Sequence, residues 1–358
     1  MIWLFAIVLF LFIAIYAVDL AIKAPAYKGP ETGHFDGKRF SNLDGVRARG
    51  LADVIKWTFN GDPGEWTNLN GSQDFEYGPP PEDSAGEGEA IVTFVNHSTF
   101  LIQVNGLNIL TDPIWSDRAS PFQWVGPKRM RPPGLHFEDL PEIDVVLISH
   151  NHYDHLDLGT VQRLNRDHQP LFITPLGVSK YLNEEGITNT AELDWWEERP
   201  INQRVSVAGV PAQHFSGRGL TDRDQTLWCG YVVQLPEGNI YFAGDTGYDG
   251  FFKEIGKRYA PIDVALIPIG AYRPRWFMEP IHVDPEQAVL IHKDIQAEIS
   301  IGIHFGTFAL ADDGMEEPIK DLAIARKKHQ VPDSSFITLK EGHSRAFVMS
   351  KVAKKTGS

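Results

Sequence analysis

Cysteine is almost missing from this 358-residue chain, with Cys229 the only one. An internal disulfide framework is thereby excluded, and so is a zinc site built on several thiolates. Any metal must rest on histidine and carboxylate. Cys229 itself falls in an apolar, strand-like run and reads as a small buried hydrophobe. Excess positive charge is missing as well. Lysine and arginine number 33 against 47 aspartates and glutamates, a formal charge of −14. So acidic a surface repels phosphate backbones as a whole, which speaks against a nucleic-acid partner while leaving room for a local basic patch. No internal repeat is visible. The 42% apolar and 22% charged residues are globular values, in a chain long enough for a large core.

Charged side chains are wholly absent from residues 1–18. With residues 20–22, this stretch is long enough to cross a bilayer as a helix. A cleaved signal peptide is the alternative. It is weakened because no lysine or arginine precedes the run, which is also longer than a usual signal core. A retained transmembrane anchor over residues 1–22 is therefore expected. Lys23, Lys28, Lys38, Arg39, Arg47 and Arg49 all follow it, and the positive-inside tendency then puts the body on the cytoplasmic side of the membrane.

Residues 23–89 are rich in Gly, Pro, Asp and Asn. They read as an irregular arm with one short helix near 51–59, ending in an exposed linker over 78–88. Regular patterning fills 90–350, and 351–358 is left as a tail. Strands are expected at 90–95, 100–104, 107–110, 145–148, 171–173, 205–210, 229–235, 240–242, 264–269, 299–303, 336–339 and 345–349. Helices are expected at 158–166, 177–185, 285–293 and 316–328. Asn105-Gly106, between two strand runs, suits the positive φ angles of a type I′ hairpin turn. Strands interleaved with helices argue for a layered α/β domain.

The densest chemistry is His150-Asn151-His152-Tyr153-Asp154-His155-Leu156-Asp157, directly after the apolar run Val145-Val146-Leu147-Ile148. A sharp loop leaving a buried strand can aim alternate side chains at one point. His150 and His152 could then bind one metal, and Asp154 and His155 a second; imidazole and carboxylate suit zinc, iron or manganese. The same architecture recurs: an apolar strand leads to His214, another to Asp245, another to His304. Each alone could be an ordinary strand-end residue. Four such loops in order are hard to ascribe to chance.

These motifs resemble the metallo-β-lactamase superfamily over roughly residues 90–350. The resemblance implies a four-layer αβ/βα sandwich with the metals at its mouth. It implies that His150, His152 and His214 hold one ion, that Asp154, His155 and His304 hold the other, and that Asp245 bridges both. Two zinc ions are expected, with iron or manganese accepted by the same ligands. Such a pair would hold a bridging hydroxide and lower its pKa enough for attack on a carbonyl, thioester or phosphorus centre. Asp157, left over, is expected to back a ligand histidine.

The resemblance is closer to one branch. Asn96-His97-Ser98-Thr99-Phe100-Leu101, Leu110-Thr111-Asp112-Pro113, Pro274-Arg275-Trp276-Phe277-Met278 and His282-Val283-Asp284-Pro285 are similar to the N-acyl-phosphatidylethanolamine-hydrolysing phospholipase D family. That implies a phospholipid substrate, a membrane setting, and release of phosphatidate and an N-acylethanolamine. A lactone or another phosphodiester is the alternative substrate. His282 is expected to be catalytic without being a ligand, and Tyr153, His282 and Arg275 to touch the phosphate. His97 is placed at the cleft. Trp57, Trp66, Trp115, Trp124, Trp195, Trp196 and Trp276 include candidates for a bilayer interface, Trp195-Trp196 foremost. The reading leaves room for a homodimer.

Overall fold

The computed structural model describes residues 2–86 and 88–349; the tail at 351–358 lies outside them. Helix α1 (Ile2–Ile22) is apolar all round. Trp3, Phe5, Phe10, Phe12, Ile15 and Tyr16 are exposed on it, and burial begins only at Asp19. After it the arm lies on the body: Ala24, Phe35, Phe40 and Asn42 are buried. Helix α2 (Leu51–Asn60) buries no residue. The segment expected to be an exposed linker is pinned at its start, where the Gly78 amide donates to the Gly134 carbonyl.

The first sheet is built from β1 (Glu89–Asn96), β2 (Thr99–Val104), β3 (Leu107–Thr111), β4 (Val145–Leu147), β5 (Leu171–Pro175) and β6 (Thr190–Leu193). Helix α3 (Leu158–Asp167) joins β4 to β5, and α4 (Val178–Glu184) joins β5 to β6. The second sheet takes β7 (Glu198–Pro200), β8 (Ser206–Val210), β9 (Gly230–Leu235), β10 (Gly238–Phe242), β11 (Ile262–Pro268), β12 (Ala297–Ile303) and β13 (Phe336–Ile337). Its helices are α5 (Phe251–Tyr259), α6 (Arg275–Met278), α7 (Pro285–Asp294) and α8 (Glu317–His329). The last strand, β14 (Ser344–Val348), returns to pair with β1, so each sheet has seven strands among the described residues. The short β6, β7, α5 and α6 were not legible in the sequence pattern. β7 is exposed along its whole length and carries no apolar alternation.

Alternation along β4 shows how the layers form. Val145 and Leu147 enter the core shared with the second sheet, beside Val207, Tyr231 and Ile240. Val146 enters the core under the helices, beside Val161, Leu164 and Leu182. A strand covered on both faces tends to a near-continuous apolar run, as β4 shows. The Asn105-Gly106 turn has φ of 49° and 74°, as the hairpin requires. The result is a four-layer sandwich, helix–sheet–sheet–helix.

Topology decides where chemistry can sit. β3, β4, β5 and β6 are mutually parallel, as are β10, β11, β12 and β13. β8 runs antiparallel to β9, and β9 to β10, so β8 points the same way as β10. The carboxyl ends of β3, β4, β8, β10 and β12 therefore open on one rim, the place where open α/β sheets put their sites.

Candidate metal centre

Each of those strand ends delivers a polar side chain. Asp112 follows β3, the block from His150 follows β4, His214 follows β8, Asp245 follows β10 and His304 follows β12. Gly244 makes one of these deliveries possible: its φ is +61°, and a Cβ there would stand 2.6 Å from the Ser149 Cβ.

The side chains converge. His152 Nδ1 lies 2.8 Å from His150 Nε2 and 3.3 Å from His214 Nε2. Asp154 Oδ2 lies 3.3 Å from both His155 Nε2 and His304 Nε2. Asp245 Oδ2 stands between the two groups, 3.1 Å from His155 and from His304 and 3.8 Å from His214. The ligand atoms of His150, His152 and His214 lie within 4.8 Å of one another, and so do those of His97, Asp154, His155 and His304. His155 Nε2 and Asp245 Oδ1 are buried without a hydrogen-bond partner. Donor atoms packed this closely with bonding capacity to spare fit metal cations.

Electrostatics agree. Burial opposes charge on His304, yet the Asp245 and Asp154 carboxylates overcome it and raise the imidazole to about 9. His155 is raised for the same reason, and its charge with that of His304 holds Asp154 and Asp245 ionised against their own burial. On the other side, burial drives His152 down to about 3 and His214 to about 4. The two carboxylates draw positive charge to the pocket, here that of His155 and His304, which a metal ion would replace on taking their ring nitrogens.

Outer contacts aim the ligands. Asp112 accepts from His155 Nδ1 at 2.6 Å and from the Ser149 hydroxyl at 2.6 Å, and Ser149 Oγ lies 2.9 Å from His150 Nδ1. His214 Nδ1 donates to the Ile281 carbonyl at 2.9 Å, turning Nε2 toward the cluster. Asn42, from the arm, brackets the His214 backbone on both its N–H and its carbonyl. Fixing the far nitrogen of a ligand histidine sets its tautomer and orientation.

The other expected residues stand as follows. His282 reaches the cluster: it is buried, and its Nδ1 lies 3.9 Å from Asp245 Oδ2 without a hydrogen-bond partner. Asp157 does not back a histidine. Its carboxylate serves the Ser116 amide and the Ser116 and Thr160 hydroxyls, fixing the start of α3, and the backing role falls to Asp112. Arg275 is held locally, donating to the His282 carbonyl and Gln287 and pairing with Asp284, and so fixes the His282 backbone. Tyr153 directs its hydroxyl away from the cluster to the Arg218 carbonyl, with the Arg218 guanidinium 4.1 Å over its ring. Trp195 is buried, its indole N–H bonded to the Trp228 carbonyl, and Trp196 is covered by Arg258. Among the tryptophans named above, Trp124 and Trp276 are the exposed ones, at 78% and 38%.

Asp112, Ser149, Asn42 and Arg218 escaped the sequence reading as supports of the site. Asp112 carried the signal already applied to its neighbours, a polar residue at the end of an apolar strand. Asn42 and Arg218 carried none.

Residues 107–305 match the family described as the beta-lactamase superfamily domain. The chain belongs to the metallo-β-lactamase superfamily. It is a metal-dependent hydrolase. A relative from Caenorhabditis elegans, N-acyl-phosphatidylethanolamine-hydrolyzing phospholipase D 1, is 40% identical over 275 residues, 73% of this chain and 77% of its own length. The mitochondrial N-acyl-phosphatidylethanolamine-hydrolyzing phospholipase D of Saccharomyces cerevisiae is 37% identical over 64% of this chain and 50% of its own length. Among solved structures, Igni18, a metallo hydrolase from Ignicoccus hospitalis, superposes with a TM-score of 0.56 at 23% identity, covering 72% of this chain and 98% of that one. That likeness is one of fold.

Proposed function

We propose that this metallo-β-lactamase-fold hydrolase cleaves N-acyl-phosphatidylethanolamine in phospholipase D fashion, with water breaking the bond between phosphorus and the ethanolamine oxygen to leave phosphatidate and an N-acylethanolamine. The observation that carries the reading is the convergence of His150, His152, Asp154, His155, His214, Asp245 and His304, beside which a cavity of ≈ 490 Å³ touches His214 and carries Arg39, Arg47 and Arg223 together with Asp36 and Asp224. On a chain of net charge −14, three arginines against two aspartates leave that cavity net positive, which favours an anionic ligand beside the cluster. The names of the worm and yeast relatives agree.

In this reading His150, His152 and His214 would hold one zinc ion and Asp154, His155 and His304 a second, with Asp245 available to both. Bound there, the ions supply an activated water and positive charge for the phosphoryl oxygens. The protein's own groups do the rest. Asp112 keeps His155 oriented, Asn42 keeps His214 in place, and the His282 ring faces the cluster as a neutral donor to a phosphoryl oxygen. Helix α1, 21 residues or about 31 Å long, matches a bilayer's hydrocarbon core and holds the body against its lipid. α2 adds exposed Leu51, Ile55 and Phe59 at helical spacing, beside exposed Trp276.

Metal analysis joined to product identification in mixed micelles tests this. Zinc together with N-acylethanolamine released from N-acylated phosphatidylethanolamine, and no hydroxy acid released from a lactone panel, is expected. Lactone turnover with the N-acylated lipid untouched would assign a different substrate to the same centre.

A further inference from the structure

His97 lies in the turn between β1 and β2, outside the metal-binding block, yet it is fully inside the cluster. Its Nε2 is 3.0 Å from Asp154 Oδ2, the oxygen that also faces His155 and His304. Its other ring nitrogen, Nδ1, is buried and has no partner. Asp154 is therefore the one polar contact of this imidazole among the described residues. The ring is wedged between His304, at 4.1 Å centroid to centroid, and the edge of Phe308 at 5.3 Å.

The backbone of His97 is held as firmly. Its N–H donates to the Thr307 hydroxyl at 2.9 Å, and its carbonyl accepts from the His304 amide at 2.9 Å. His97 has φ of 48° and His304 has φ of 59°, left-handed values that a residue with a side chain keeps only under constraint. Asp154 comes from the first sheet and His304 from the second. One residue thus grips both, the carboxylate through its side chain and the histidine through its main chain.

We infer that His97 is a positioning residue of the metal centre, whose Nε2–H holds the Asp154 carboxylate at the distance from His304 that a shared ion needs. A carboxylate ligand left without such a partner swings freely, and outer partners of this kind carry about 10–100-fold in metal affinity. The inference rests on the two-ion reading above.

The test is titration of Co²⁺ into chelator-stripped full-length protein in detergent, read by the visible d–d absorption and by ions retained after dialysis. The parent is expected to take two equivalents; fewer than two would overturn the two-ion reading itself, before any variant is considered. His97→Leu removes the donor, and His97→Gln restores one at similar reach. His97→Leu is expected to bind one equivalent as the parent does and the other about 10–100-fold more weakly, with His97→Gln recovering most of the loss. Should His97→Leu fail to fold, His97→Asn, whose amide is too short to reach Asp154, replaces it. Two equivalents bound with parental affinity and spectrum by the donor-less variant would sink the proposal. So would a His97→Gln protein as impaired as His97→Leu, since that outcome makes the imidazole itself a ligand.

Discussion

The Asp19 carboxylate and the Thr221 hydroxyl meet at 2.6 Å, tying the last turns of α1 to the loop after β8. Asp19 also accepts from the Leu220 and Thr221 amides, and the Ala24 amide donates to Asp222. Asp222 in turn holds the backbone of Arg218, whose guanidinium donates to the carbonyls of Asn151 and Leu156. The foot of α1 therefore leans on the loop that props the metal-binding block. Asp19→Ala is expected to loosen residues 217–224 and speed tryptic cleavage after Arg218 and Arg223. An unchanged digestion pattern would show that the contact is idle.

Deleting residues 2–18 should release the body from membranes while leaving its core intact, because no side chain described in that stretch is buried. The check is carbonate extraction of both forms, followed by far-UV circular dichroism. A truncated chain that still sediments with membranes would shift the binding role to α2.

Asp112→Asn keeps the shape of the side chain but removes the charge that orients His155 and Ser149. Metal affinity should fall by about 10–100-fold in competition with a chromophoric chelator. Parental affinity would mean that His155 is held well enough by packing alone.

His282→Gln separates chemistry from metal binding. Turnover is expected to drop by about 10²–10⁴-fold, with metal content unchanged, since neither the His150, His152 and His214 group nor the His97, Asp154, His155 and His304 group includes it. Loss of an ion in this variant would make His282 a ligand.

The acid limb of stability has a contributor outside the centre. Burial lowers His292 from 6.5 to about 4, and its Nδ1 lies 2.8 Å from Ser300 Oγ. The unfolded chain takes up this proton near 6.5 and the folded one only near 4, so its contribution is full above 6.5 and is lost as pH falls toward 4. Denaturant unfolding of His292→Asn, compared with the parent at about pH 7 and about pH 5, should show a smaller loss on acidification. Equal losses would place the acid sensitivity elsewhere.

Legibility followed burial. β4 is apolar at every position and β11 from Val264 onward, because both of their faces are covered, and these runs could be read directly. β7 is a solvent-facing edge, and α6 spans four residues, too few for any period to register. In the site, His150, His214, Asp245 and His304 were legible because each follows an apolar strand. The contacts of Arg275 and Tyr153 were less legible. Arg275 is held by His282, Asp284 and Gln287 within its own stretch of chain, while the Tyr153 hydroxyl goes to the distant Arg218 carbonyl.

The sequence by itself determined the layered architecture, the apolar N-terminal helix and the histidine and aspartate chemistry of the strand ends, since hydrophobic period and residue chemistry are local properties. Only the tertiary structure decided that Asp112 and not Asp157 backs a histidine, that Asn42 from the arm grips His214, and that His97 faces Asp154. Those pairings depend on which strand ends share a rim, and strand order across two sheets is written in no stretch of chain short enough to read.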